Sequence, residues 1–294
     1  MFGVNQLKTT ALLGLLSGLI VLAGYYLMGN EQGLVLGFIV AAFTSIGSWY
    51  YSDRAALATY QAQPLAREQA PQLYDTIARL SERANIPMPK VFFVSTKSPN
   101  AFATGRDPQH SAVAVTEGIV ELLSPEELES VLAHELTHIK NRDTLTQAVA
   151  GTLAGAITFL GRILTFGALY GPVTSGGRRN ANPLSLIFLI VLAPLSAGLI
   201  QLAISRTREY AADQGAAEIT GNPLALVSAL KKLEQVAHQI PMNGNPAFSP
   251  LLIINPLSRE GLQALFLTHP PTEERIRRLL ELSQQPQPTP AAAV

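Results

Sequence analysis

The chain has 294 residues, no cysteine, and 21 basic residues balanced by 21 acidic ones. Zero net charge argues against a nucleic-acid protein, which needs a basic surface to neutralise phosphates. The lack of cysteine excludes disulfides, thiolate metal sites and thiol nucleophiles, so any metal site must use histidine and carboxylate. Charged residues make up only 14%, against about 25% in an ordinary soluble domain, while 48% are hydrophobic. That balance excludes a disordered chain and points to a membrane protein.

Four charge-free stretches are each long enough for a spanning helix, which needs about 20 apolar residues. They place candidate spans at 10–28, 33–51, 146–168 and 184–204. The first reads as a retained anchor and not a cleaved leader, because a second span follows at once. Arg162 interrupts the third and is expected to snorkel to an interface. Lys8, Arg54 and Arg67 flank the first pair. Lys140, Arg142, Arg206 and Arg208 flank the second, with Arg178 and Arg179 at its tip as the opposing count. The basic residues therefore put the remaining stretches on the cytoplasmic side.

Between the pairs, residues 70–85 have helical spacing (Leu73, Ile77, Leu80). Val91–Ser95 and Ala112–Thr116 read as strands, and Asn100–Thr104 as a third. Ser124-Pro125-Glu126-Glu127 reads as a helix start, with Ser as cap, Pro at the first helical position and Glu three residues after the cap. Gly221 is expected to end one helix, Asn222-Pro223 to begin another, and a last helix to run from about Pro271 to Leu282. The tail, 284–294, is Pro/Gln/Ala-rich and reads as disordered. The resulting division is a hairpin at 1–52, a first cytoplasmic part at 53–143, a second hairpin at 144–205, a second cytoplasmic part at 206–283, and the tail.

The helix starting at Pro125 carries His134-Glu135-Leu136-Thr137-His138. Histidines at i and i+4 share one helix face, where both imidazoles can reach one tetrahedral metal. The glutamate between them is placed to act as a base on water there. The competing reading is a pair of exposed helix histidines. Only five histidines exist, and two fall here; His110 and His238 read as surface residues. A third ligand is needed. The candidate is Glu209 in Ser205-Arg206-Thr207-Arg208-Glu209-Tyr210-Ala211-Ala212-Asp213, with Asp213 one turn on to accept a hydrogen bond from a ligand histidine. The alternative is that Glu209 pairs with a nearby Arg. Residues 144–205, lying between the two ligand helices, would bring them together close to the membrane surface.

These motifs (HELTH at 134–138, SRTREYAAD at 205–213, NAFATG at 100–105 and THPPTEERI at 268–276) resemble those of the HtpX family of membrane zinc endopeptidases, and more distantly the type I CAAX prenyl endoprotease. The resemblance implies an α+β membrane protein, mainly α-helical, with about four transmembrane helices and a cytoplasmic gluzincin-type zinc peptidase domain carrying a small β-sheet. It implies one zinc ion per chain at His134, His138 and Glu209, with Glu135 as base. It implies that Asn100, Ala101, Phe102 and Ala103 form an edge strand able to pair with an extended peptide. The alternative there is an ordinary strand. It implies further that His269 and Arg275 come near the cleft to contact the substrate carbonyl, where the alternatives are a packing histidine and an ordinary helix charge. Polypeptides, in particular damaged membrane proteins of the bacterial inner membrane, are the implied substrates, in quality control and stress response. The rival readings are a CAAX-type processing protease, a non-catalytic membrane metal-binding or transport protein, and an inactive scaffold.

Overall fold

The structure, a computed structural model, describes residues 2–28, 30–147, 149, 206–237, 239 and 270–284. The expected second hairpin lies outside the described residues except for 144–147 and 149. So do His238, His269 and the tail beyond Gln284.

Two long helices open the chain, α1 (Phe2–Met28) and α2 (Glu31–Tyr50). Asn30 turns the chain between them and caps α2, its side chain accepting from Gly33 N–H. The two helices are joined side to side by a Ser17–Ser45 hydroxyl bond of 2.9 Å. Among the described residues no helix is long and apolar enough to cross a membrane.

A mixed body of helices and strands follows. It contains α3 (Ser52–Thr59), β1 (Gln63–Pro64), α4 (Pro71–Ala84), β2 (Lys90–Val94), β3 (Ala101–Asp107), β4 (His110–Thr116), α5 (Glu117–Leu122) and α6 (Pro125–Lys140). The chain is helical again over 143–147. Then come α7 (Arg206–Thr220), α8 (Pro223–Ala237) and α9 (Thr272–Gln284). The expected helices and strands of this body form within a few residues of their sequence bounds. Gly221 ends α7 at φ +71°, a conformation that costs glycine little.

The strands form one mixed sheet in the order β1-β2-β4-β3. β2 runs parallel to β4, and β3 antiparallel to it, with Ala103 opposite Val113. Among the described strands β3 is therefore an edge. Its residues 101–104 are buried on both faces, which explains why no exposed charged position alternates with Ala101, Phe102 and Ala103. One face packs Ala101, Ala103, Val113 and Val115 against α4, α6 and α8. The other packs Phe102, Ala112 and Ala114 under α3, with Tyr60 against the Phe102 ring at 5.1 Å.

Helix α6 runs through the centre of the body. Its start is the expected capping box: Glu127 N–H donates to Ser124 Oγ, and Ser124 N–H donates to Glu127 Oε2 at 2.8 Å. The same Glu127 carboxylate accepts from Ser228 at 2.6 Å and Lys232 at 2.7 Å, tying α8 to α6. Every residue from Ser130 to Ile139 is buried, so the HExxH face has no solvent side. Helix α7 crosses close to α6 because position 215 is glycine. A Cβ there would lie 2.5 Å from Thr137 Cγ2.

Candidate metal centre

The two histidines of α6 point their Nε2 atoms at one another, 3.2 Å apart. Helix α7 brings Glu209 against both, with Oε2 3.7 Å from His134 Nε2 and Oε1 3.6 Å from His138 Nε2. Glu209 itself is 0% exposed.

The other ring nitrogens are occupied. His134 Nδ1–H donates to Asp213 Oδ1 at 3.0 Å, and His138 Nδ1–H donates to Asp143 Oδ2 at 3.0 Å. A neutral imidazole that donates at Nδ1 presents a lone pair at Nε2. Two lone pairs and a carboxylate then converge on one buried point, an arrangement that repels itself unless a cation lies among them. Zinc bonds of about 2.0–2.1 Å in a tetrahedron place ligand atoms roughly 3.4 Å apart. The observed 3.2–3.7 Å brackets that spacing. Two imidazoles and one carboxylate, without thiolate, also form a donor set that suits zinc. The residues present therefore fit the metal that the sequence implies.

The charges respond to this crowding. Burial lowers the basicity of His138, but the Asp143 hydrogen bond and the charge of Glu209 outweigh it and lift its pKa to about 9, so in the metal-free protein a proton on this ring offsets the Glu209 charge that a bound cation would otherwise offset. Burial holds His134 below the usual histidine value against the opposing pull of Asp213. Glu135, 3% exposed, is pushed up to about 8 by burial and, against the pull of His138, by the charge of Glu209. Its Oε2 accepts the Ala103 N–H at 2.9 Å, which holds the carboxylate against edge strand β3.

Arg275, on α9, is 2% exposed. Its Nε and Nη2 donate to the two oxygens of Asp213 at 2.9 and 2.6 Å, and Nη2 lies 3.5 Å from His134 Nδ1. Burial alone would raise the Asp213 pKa. The Arg275 guanidinium instead holds it to about 2.

Of the sequence candidates, His134, Glu135, His138, Glu209, Asp213, Arg275 and Ala103 come together. Asn100 is buried, its Oδ1 accepting the Ala101 N–H at 2.9 Å and its own N–H donating to Thr116. Phe102 turns its ring into the opposite face. Asp143 and Arg208 join the cluster without having been singled out. Asp143 follows the HExxH histidine by five residues, across a turn at Arg142 with φ +57°, so no helical spacing marks it.

The sequence profile of peptidase family M48 matches residues 67–283, the span that holds every residue of this cluster. The chain belongs to peptidase family M48. It is 57% identical over 281 residues to a Protease HtpX homolog of Nostoc punctiforme, covering 96% of this chain and 97% of that protein. A Protease HtpX homolog of Acaryochloris marina is 54% identical and covers 99% of both chains. The crystal structure of S. mikatae Ste24p shares the fold at a TM-score of 0.52 and 21% identity, covering 93% of this chain and 65% of that one. This M48 enzyme is an HtpX-type metallopeptidase. The matched span includes α6 and its buried pair His134 and His138, which with Glu209 could hold a metal ion.

Proposed function

We propose that the enzyme is a zinc-dependent endopeptidase anchored in a membrane, hydrolysing peptide bonds of damaged or misfolded membrane proteins on the cytoplasmic side of the bacterial inner membrane. The observation that carries the zinc reading is the convergence of His134 Nε2, His138 Nε2 and Glu209 at tetrahedral spacing, with both Nδ1 atoms held by carboxylates.

His134, His138 and Glu209 hold the ion. When bound, zinc supplies the Lewis acidity that acidifies water and polarises a carbonyl. Asp213 and Asp143 keep the Nδ1 protons in place, so both rings offer Nε2. Glu135 takes the proton of the attacking water and returns it to the leaving amine. The Ala103 N–H orients the Glu135 carboxylate. Strand β3 is the natural partner for an extended substrate, which it would read by main-chain bonds more than by side chains. Arg275 spends its guanidinium on Asp213, and we assign it to holding His134 through that carboxylate in preference to binding the oxyanion.

Anchoring rests on the first hairpin. No described helix is long and apolar enough to cross, but the exposed face of this pair carries more weight. Val35, Phe38, Phe43 and Ile46 are 61–77% exposed, and a soluble surface rarely leaves such a patch uncovered. Helix α1 has 27 residues, about 40 Å, against about 30 Å of hydrocarbon. Both outer ends of the pair meet the rest of the chain: Thr9 bonds Thr146, at the start of the expected second hairpin, at 2.9 Å, and Arg106 of β3 stacks on the Tyr50 ring at 4.6 Å. That arrangement supports a hairpin entering and leaving on the peptidase side.

The test uses full-length wild type and Glu135→Gln, purified in detergent with chelator and then given zinc. Both should bind zinc, and only wild type should cleave casein. Cleavage by Glu135→Gln, or loss of its zinc, would sink the assignment of roles.

A further inference from the structure

The buried pair Asp213–Arg275 behind His134 has a counterpart behind His138. Asp143 Oδ2 accepts from His138 Nδ1 at 3.0 Å, and the Arg208 guanidinium lies 3.1 Å from Asp143 Oδ1 through Nε. Arg208 also donates to the Asp143 carbonyl at 3.4 Å. Asp143 is 1% exposed and Arg208 4%. Both ligand histidines thus have a carboxylate on the ring nitrogen and an arginine beside that carboxylate, bidentate for Arg275 and, for Arg208, an ion-pair contact at Nε with a bond to the backbone carbonyl.

The support of His138 is assembled from different elements. Asp143 stands where the chain leaves α6. It gets there through Arg142, whose left-handed φ of +57° is costly for a residue with a side chain. Surrounding contacts must hold such a conformation, and its effect here is to return the Asp143 carboxylate beneath the histidine five residues earlier. Arg208 directly precedes the ligand Glu209 at the start of α7. One residue reaches the metal, and its neighbour reaches the carboxylate behind the opposite ligand. The next residue after Asp143, Thr144, donates its hydroxyl to Gly105 O on β3 at 2.9 Å. The same short turn is therefore clamped to the edge strand that carries Ala103.

We propose that Asp143 and Arg208 are positioning residues for the metal, Asp143 fixing the tautomer and orientation of His138 and Arg208 fixing Asp143. The inference rests on the reading of His134, His138 and Glu209 as metal ligands. A carboxylate on a ligand imidazole raises its basicity and fixes its ring, and loss of such a partner costs about 10–100-fold in metal affinity. Lysine cannot replace Arg208 in full, since a point charge lacks the fork that meets both the carboxylate and the carbonyl of Asp143.

The experiment measures zinc affinity of full-length protein in detergent, stripped of metal, by competition with a chromophoric chelator. It also records the visible spectrum after cobalt loading. Neither readout needs turnover. Asp143→Asn keeps the shape and an acceptor for Nδ1–H but removes the charge. It should weaken zinc about 10–100-fold and shift the cobalt bands, while Asp143→Glu restores part of the affinity. Arg208→Lys should weaken zinc severalfold. Zinc affinity within twofold of wild type in Asp143→Asn, with an unchanged cobalt spectrum, would overturn the proposal and leave Asp143 a helix-end residue. If Asp143→Asn does not fold, Arg208→Lys decides by the same two readouts. Wild type that takes up no zinc would instead defeat the metal reading itself.

Discussion

Arg275 offers the sharpest separation between holding the site and acting on substrate. Arg275→Met removes a cation that is 2% exposed and leaves Asp213, 3% exposed, without its bidentate partner. Breaking a buried pair from one side costs about 3–5 kcal/mol, because an uncompensated charge stays inside. At about 2–4 °C per kcal/mol for a folded unit of this size, the melting temperature should fall by about 6–20 °C. The measurement is thermal melting of metal-free full-length protein in detergent. Asp213→Asn combined with Arg275→Met should recover most of the loss, since no lone charge then remains. The double variant would still bind zinc poorly, because His134 has lost its orienting carboxylate. If Arg275→Met melted within about 2 °C of wild type and lost turnover alone, the positioning argument would be refuted and an oxyanion contact would take its place.

Three further outcomes follow from the packing and charge. Gly215→Ala puts a methyl 2.5 Å from Thr137 Cγ2, on a short side chain already bonded to Ala133 O. It should destabilise by about 1–3 kcal/mol in chemical denaturation and weaken zinc by parting α6 from α7; unchanged values for both would show that the helices have slack. Ser124→Ala removes one half of the capping box and should cost about 1 kcal/mol, read by the same denaturation. The Asp213 pKa is depressed from 3.8 to about 2, so its stabilisation is present above pH 3.8 and lost as pH falls through 2. The melting difference between metal-free wild type and Asp213→Asn should therefore be constant above about pH 4 and shrink towards pH 2. A difference that persists at pH 2 would contradict the ion pair.

The core of the site was legible because helical spacing carries it. His134, Glu135 and His138 lie on one helix with an unmistakable start at Ser124, and Glu209 and Asp213 repeat the i, i+4 relation on another. The strands of β2 and β4 were legible from their β-branched and aromatic runs. What escaped has no period. Asp143 reaches His138 through a left-handed residue at Arg142, and local spacing cannot foretell a turn of that kind. Arg208 was in plain view, but its partner was not. Strand β1 is only two residues long, Gln63 and Pro64, too short for alternation to register. Phe102 stood in the run quoted for substrate contact, yet strand alternation turns its ring to Tyr60, while its neighbour Ala103 offers its N–H to Glu135.

The position of α9 in the chain also sets an order of events during synthesis. A chain emerges N-terminus first and folds as it appears. Both histidines and Glu209 are made before Arg275, which arrives in the last described helix. Until that helix docks, Asp213 lacks its counter-charge and His134 lacks a firmly held carboxylate. A chain made only that far lacks the Asp213–Arg275 pair behind His134. A ribosome-stalled chain ending at residue 271 should accordingly retain little zinc in the chelator competition, and release of the full chain should restore it.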